Sequence, residues 1–256
     1  MAPVQLLLHM SDLHFGPHSR FDTKDPAGLA RSTAESIRHA TSSANVHEPV
    51  DAIVVTGDVT EAGTAPQFAD AQRFLEGIGG KLGVPHERIV VVPGNHDVSW
   101  QRCQIACRQQ EQEGFDDDER ERRIADTKLA EFGLFLQRMY EATPDKRSDV
   151  CPLGGGAYVY DFSSSGLAIA ALNSCERESH RSSDHVGFLG DTQTAALMGH
   201  WAASAPTDLI RCDAPPTIRR DCPVRGQRGQ AGYGGETKRL DMKQWDGVQD
   251  VGPRTC

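Results

Sequence analysis

Three short polar clusters carry residue types suited to metal-assisted phosphoester chemistry: Asp12-x-His14, Gly57-Asp58 with Glu61 three residues on, and Gly94-Asn95-His96-Asp97. That chemistry needs hard oxygen donors and imidazoles around two cations ~3.5 to 4 Å apart, which clamp the phosphoryl group and activate a bridging water. Asp12 and His14, two residues apart, can both turn toward one ion; Asp58 can bridge two; the side-chain carbonyl of Asn95 suits the second. His96 is then placed to protonate the leaving alkoxide, and Asp97 can orient that imidazole in a carboxylate-histidine pair. Each cluster alone also has an ordinary structural explanation. Asp12 and Asp58 could end strands or cap helices, and Asn95-His96-Asp97 could be an Asx-type turn. Their joint occurrence, in order, is what points to chemistry.

The elements that must position these groups are legible as apolar runs. Residues 4–9, 52–56 and 89–92 each read as a short buried strand, and each runs into one of the clusters. Between them, residues 29–40 have helical composition. Residues 64–78 place Phe68, Ala71, Leu75 and Ile78 on one helical face, with Thr64 and Gln67 at capping-box spacing. Strand, helix, strand, helix, strand predicts parallel pairing, with function gathered at the C-terminal strand ends where all three clusters fall. Residues 100–141 are charged and helix-like and read as an inserted helical cap, reaching to about 150; the acidic run at 116–119 suits a solvated helix start. Residues 157–162 and 167–173, separated by Ser163-Ser164-Ser165-Gly166, read as a β-hairpin, and 191–203 as a further helix.

In order and spacing, the three clusters resemble the first three signature motifs of the calcineurin-like metallophosphoesterases. Further similarity, to bacterial members, lies in His9-Met10-Ser11-Asp12-Leu13-His14-Phe15-Gly16, in Leu172-Asn173-Ser174, and in Gly187-Phe188-Leu189-Gly190 followed by Gln193. The resemblance implies an α/β fold, a four-layer αββα sandwich with helices outside two central sheets and a dinuclear centre at the strand ends. It implies that Asp12 and His14 bind the first metal, Asp58 bridges, Asn95 binds the second, and His96 acts as acid or transition-state stabiliser; Glu61 receives no role. The implied cofactors are two divalent ions, manganese, iron or zinc. The implied substrate is a small phosphate ester, monoester or diester, with a cyclic nucleotide among the candidates.

Composition narrows the partners. The net charge of -9, from 36 acidic and 27 basic side chains, disfavours general nucleic-acid binding and anionic membranes. No apolar run reaches the ~20 residues of a membrane span, and the run at 4–8 is too short for a secretory signal. With seven cysteines lacking CxxC spacing, these features predict a cytoplasmic protein with reduced thiols. The expected organisation is a phosphoesterase domain over 1–210 and an irregular tail over 211–256.

That tail is where the chain departs from the family, whose members go on to supply a histidine, often in a His-His pair, and later a Gly-His-x-His segment. All ten histidines here lie at or before His200, and His200 reads as a helix-surface residue. His180 and His185 read as loop residues, with lining of the substrate mouth as their alternative. Read one base later, codons for residues 212–216 permit Val-Met-His-His-Pro, so a frame change near 207–211 is expected to have replaced the native C-terminus. The coding DNA checks this: a shifted frame without adjacent histidine codons sinks it. Without those ligands the first ion keeps Asp12, His14 and Asp58, and the second keeps Asp58 and Asn95. Weak metal retention and low activity are therefore expected, and the alternative function is that of a catalytically impaired fragment serving as a binding module.

Overall fold

The computed structural model describes residues 5–19, 25–140, 148–162 and 165–204. The tail and the frame change expected near it lie outside the described residues. Strands β1 (Leu6–Met10), β2 (Val50–Thr56) and β3 (Ile89–Val92) form a parallel sheet in the order β1-β2-β3. The register pairs Met10 with Val55 and Thr56 with Val92, so the three strands end along one edge. Their near-continuous apolar sequences suit a parallel sheet, in which both faces are candidates for burial. Ile53, Val55 and Ile89 are fully buried.

Helices α1 (Pro26–Ser43) and α2 (Ala65–Leu82) pack on each other and connect the strands. Asp25 caps α1 by accepting the Gly28 N–H at 2.9 Å, with Pro26 in the first turn. At α2 the capping box does not form. Thr64 occupies the N-cap position without a side-chain bond, and Gln67 instead accepts the Ala62 N–H at 3.0 Å. The helix ends on Gly83 in the left-handed conformation that glycine adopts without a Cβ penalty.

Residues 100–140 form three helices, α3 (Trp100–Glu113), α4 (Asp117–Lys128) and α5 (Ala130–Tyr140). The expected cap describes this segment poorly, because α5 belongs to the main core. Phe135 stacks on Phe68 of α2 with ring centroids 5.2 Å apart, and the Tyr140 hydroxyl donates to the Ile89 carbonyl at 2.6 Å. Phe132, Phe135, Leu136 and Met139 are buried there, each worth about 1.5–3 kcal/mol relative to exposure. The acidic run at 116–119 is the start of α4, where Asp116 accepts the Glu119 N–H at 2.8 Å.

A second sheet is antiparallel, in the order β4 (Val150–Gly154), β5 (Ala157–Phe162), β6 (Leu167–Ala171). It contains the expected hairpin and one strand more, β4, whose Pro152 and Gly154 hide it from a reading by pattern. Helix α6 (Asp191–Ser204) follows. The chain is thus an α/β fold with one parallel and one antiparallel sheet. Between Val54, Val90 and Val92 on one side and Ile169 to Leu172 on the other lies a cavity of about 580 Å³.

Candidate metal centre

Beyond their last ladder residues, the strands remain tied to each other through the loops that carry the polar clusters. Asp12 N–H donates to the Gly57 carbonyl at 3.3 Å, His14 N–H to the Asp58 carbonyl at 2.9 Å, and Phe15 N–H to the Val59 carbonyl at 2.9 Å. Holding these contacts puts Asp12, His14 and Asp58 at φ of 57°, 46° and 51°. For a non-glycine residue the left-handed region costs about 1–2 kcal/mol, and such strain persists only where surrounding contacts enforce it. Among the described residues, three of the four such non-glycine positions are Asp12, His14 and Asp58, whose side chains the sequence singles out as ligands.

The β2 and β3 loops meet through two glycines. A Cβ on Gly57 would lie 2.8 Å from Gly94 Cα, and one on Gly94 would lie 2.2 Å from both the backbone nitrogen and Oδ1 of Asp58. That approach lets Asp58 Oδ1 accept the His96 N–H at 3.0 Å. Around it, His14 Nε2 lies 3.7 Å from Asp12 Oδ1 and 3.9 Å from Asp58 Oδ2, and the His14 and His96 rings meet edge-on with centroids 4.7 Å apart. One ligand atom from each of His14, Asp58 and His96 falls within 4.8 Å of the others. Among the described residues this is the group of three or more His, Cys, Asp or Glu side chains able to share an ion. Asp12 flanks it on the exposed side, and Asn95 lines the cavity together with Asp58 and Gly94. His96 therefore stands close enough to be a ligand as well as an acid. The donor set of carboxylate oxygen, imidazole nitrogen and amide oxygen fits a manganese, iron or zinc ion.

Asp97 is placed differently from its sequence-based role. Its carboxylate does not meet the His96 ring. It is buried (1 % exposed) and accepts the N–H groups of Val59 (3.1 Å), Thr60 (2.8 Å) and Gly94 (2.9 Å) and the Thr60 hydroxyl (2.9 Å). Burial pushes its pKa up to about 6, with those backbone hydrogen bonds opposing the rise. Its role is to weld the β2 and β3 loops. The His96 ring is oriented by a backbone group instead: Nδ1 lies 2.9 Å from the Glu61 carbonyl. A carbonyl only accepts, so the proton sits on Nδ1 and Nε2 is the ring's reactive nitrogen.

A further set of side chains borders the same cavity, and sequence reasoning found only part of it. His185, one of the two loop histidines considered for the mouth, lines the cavity with Glu178 and Ser174. Its ring stacks on Trp100 at 4.9 Å and 19°, and Trp100 lies 6.2 Å from the His96 ring. Glu178 is buried, and its Oε1 faces His185 Nε2 at 3.3 Å. Burial raises the Glu178 pKa, opposed by His185 and Lys128. The loop is clamped by Lys128 of α4, whose ammonium donates to the carbonyls of Cys175 (2.8 Å), Glu176 (2.6 Å) and Glu178 (3.1 Å). Burial lowers the Lys128 pKa. Trp100, Lys128 and Glu178 carry no local motif; only the assembled fold brings them to the site. His180 and His200 do not line the cavity.

In a comparison with protein families, the family model described as calcineurin-like phosphoesterase matches residues 6–210. Comparison with curated proteins gives no match. Among the described residues, no helix is long and apolar enough to cross a membrane.

Proposed function

Because the chain belongs to the calcineurin-like phosphoesterase family, whose domain carries out metal-dependent phosphoester hydrolysis, we propose that it cleaves small phosphate esters at a centre of two divalent cations held by Asp12, His14, Asp58 and Asn95. The observation that supports this most directly is the convergence of His14, Asp58 and His96 from three different strand ends. Manganese, iron and zinc all suit the donors. When bound, the cations supply positive charge to the phosphoryl oxygens and lower the pKa of the attacking water.

The residues divide the remaining work. Asp58 accepts the His96 N–H at Oδ1 and turns Oδ2 toward His14, and it would be the carboxylate shared by the two ions. His96 acts on the leaving group. With Nδ1–H fixed on the Glu61 carbonyl, the ring gains or loses a proton only at Nε2, and its imidazolium form can deliver that proton to the departing alcohol oxygen. Asp97 serves from behind, by fixing the backbone that presents His96 and Asp58.

Metal analysis of the purified chain together with hydrolysis of 4-nitrophenyl phosphate and bis(4-nitrophenyl) phosphate tests this. About two equivalents of metal and turnover that Asp58→Asn lowers at least ~100-fold are expected. A second reading, an impaired phosphoesterase, is favoured by one observation: the described residues give a single group of three side chains, His14, Asp58 and His96, able to share an ion. About one equivalent of metal or less, without turnover, selects that reading over the first.

A further inference from the structure

The cavity beside the candidate centre is lined by more than the proposed ligands. Asp58, Gly94 and Asn95 share its lining with the apolar Val54, Val90 and Ile169 and with the polar Ser174, Glu178 and His185. His185 is the aromatic ring among the described residues that line it. Its volume of about 580 Å³ falls within the ~300–1,000 Å³ of sites that enclose small organic ligands. With the phosphoryl group of an ester beside Asp58 and Asn95, the other lining residues, His185 among them, border the group to which it is attached.

His185 is held for contact with that group. One ring face is stacked on Trp100 at 4.9 Å. Nε2 lies 3.3 Å from the buried Glu178 carboxylate and 3.1 Å from the Ser179 carbonyl, both acceptors, so Nε2 carries a proton. The Glu178 backbone is held by Lys128, which donates to its carbonyl. The ring is thus immobilised on one face and at one nitrogen, while its side chain remains 33 % exposed. A flat surface fixed before binding offers stacking without the loss of rotamer freedom that a mobile side chain would suffer. Glu178, His185 and Asp58 do not gather into a common ion-binding group, which leaves His185 to the organic part of the substrate.

Resting on the hydrolase reading above, we infer that His185 is a specificity-determining residue that stacks on a planar aromatic leaving group, so that the site selects aryl or nucleoside phosphate esters over alkyl ones. Trp100 and Glu178 are positioning residues that act through it.

Binding of two non-hydrolysable probes with the same headgroup, phenylphosphonate and ethylphosphonate, to the manganese-loaded full chain tests this by calorimetry. The wild-type chain is expected to prefer the phenyl probe by about fivefold or more, the scale of an aromatic pair. His185→Ala abolishes that preference by weakening the phenyl probe alone, and His185→Phe, which keeps a ring on Trp100, retains it. Metal stoichiometry equal to wild type establishes that each variant is folded at the centre. An undiminished preference in His185→Ala, or equal weakening of both probes, overturns the inference. Wild-type protein that binds both probes equally overturns it while leaving the hydrolase reading intact. Metal-loaded wild-type protein that binds neither overturns both.

Discussion

The Asp97 carboxylate receives four hydrogen bonds, two on each oxygen: Thr60 N–H and hydroxyl on Oδ1, Val59 N–H and Gly94 N–H on Oδ2. Replacing it by asparagine sets an NH2 group against at least one obligate N–H donor whichever way the amide lies, Thr60 N–H at one oxygen or Val59 and Gly94 N–H at the other. The loss is expected to be roughly 2–3 kcal/mol, read as a fall in melting temperature of about 5–10 °C in calorimetry. The pH dependence has a definite sign. Burial raises the native pKa of Asp97 from 3.8 to about 6, so between those values the native state holds a proton that the unfolded chain has released. Stability from this group is therefore fully present below pH 3.8, falls as pH rises to about 6, and is flat above. The corresponding change is on the order of 3 kcal/mol. In metal-free protein, denaturant midpoints of wild type and Asp97→Asn across pH 4–7 should show the wild-type advantage shrinking over that window; a wild-type advantage that grows with pH contradicts the assignment.

At the scale of elements, the site depends on how closely the loops after β2 and β3 approach. Gly94→Ala puts a Cβ where the Asp58 backbone nitrogen and Oδ1 now stand, and backbone cannot yield as a flexible side chain can. We expect manganese affinity to fall at least about tenfold, the scale of losing support for a ligand, with the far-ultraviolet circular dichroism preserved. Unchanged affinity in calorimetry refutes the dependence on close approach. The strands and helices that build this junction were legible because their signals are local. The apolar runs before Asp12, Asp58 and Asn95 announced β1 to β3, and the spacing of Phe68, Ala71, Leu75 and Ile78 announced α2. What escaped depends on partners distant in sequence. Nothing near Asp97 says that its carboxylate will meet Val59 and Thr60 rather than the adjacent imidazole. Nothing in residues 130–140 says whether their apolar face caps the site or enters the core beside Phe68. The Trp100-His185 stack joins segments that share no motif. The sequence motifs imply that His96 serves the same centre as His14 and Asp58, and the aligned strand ends bring the three within reach of one ion.

For the molecule as a whole, an ion held at this junction is a ligand of the native state alone, so it must stabilise the fold by mass action. Manganese at about 100 times its dissociation constant contributes about 2.7 kcal/mol, or a rise of roughly 5–10 °C in melting temperature. Differential scanning fluorimetry should show this shift growing with manganese concentration in wild type and absent in Asp58→Asn; equal shifts in both would place the ion elsewhere. The backbone bonds from His14 to Asp58 and from His96 to the Asp58 side chain span distant segments, the latter 38 residues apart. An ion that needs groups from all three strand ends is fully held only once the three strands are docked. A nascent chain meets its cofactor as a finished receptacle, and chelation should leave the topology standing while loosening the seam where the three loops are laced together.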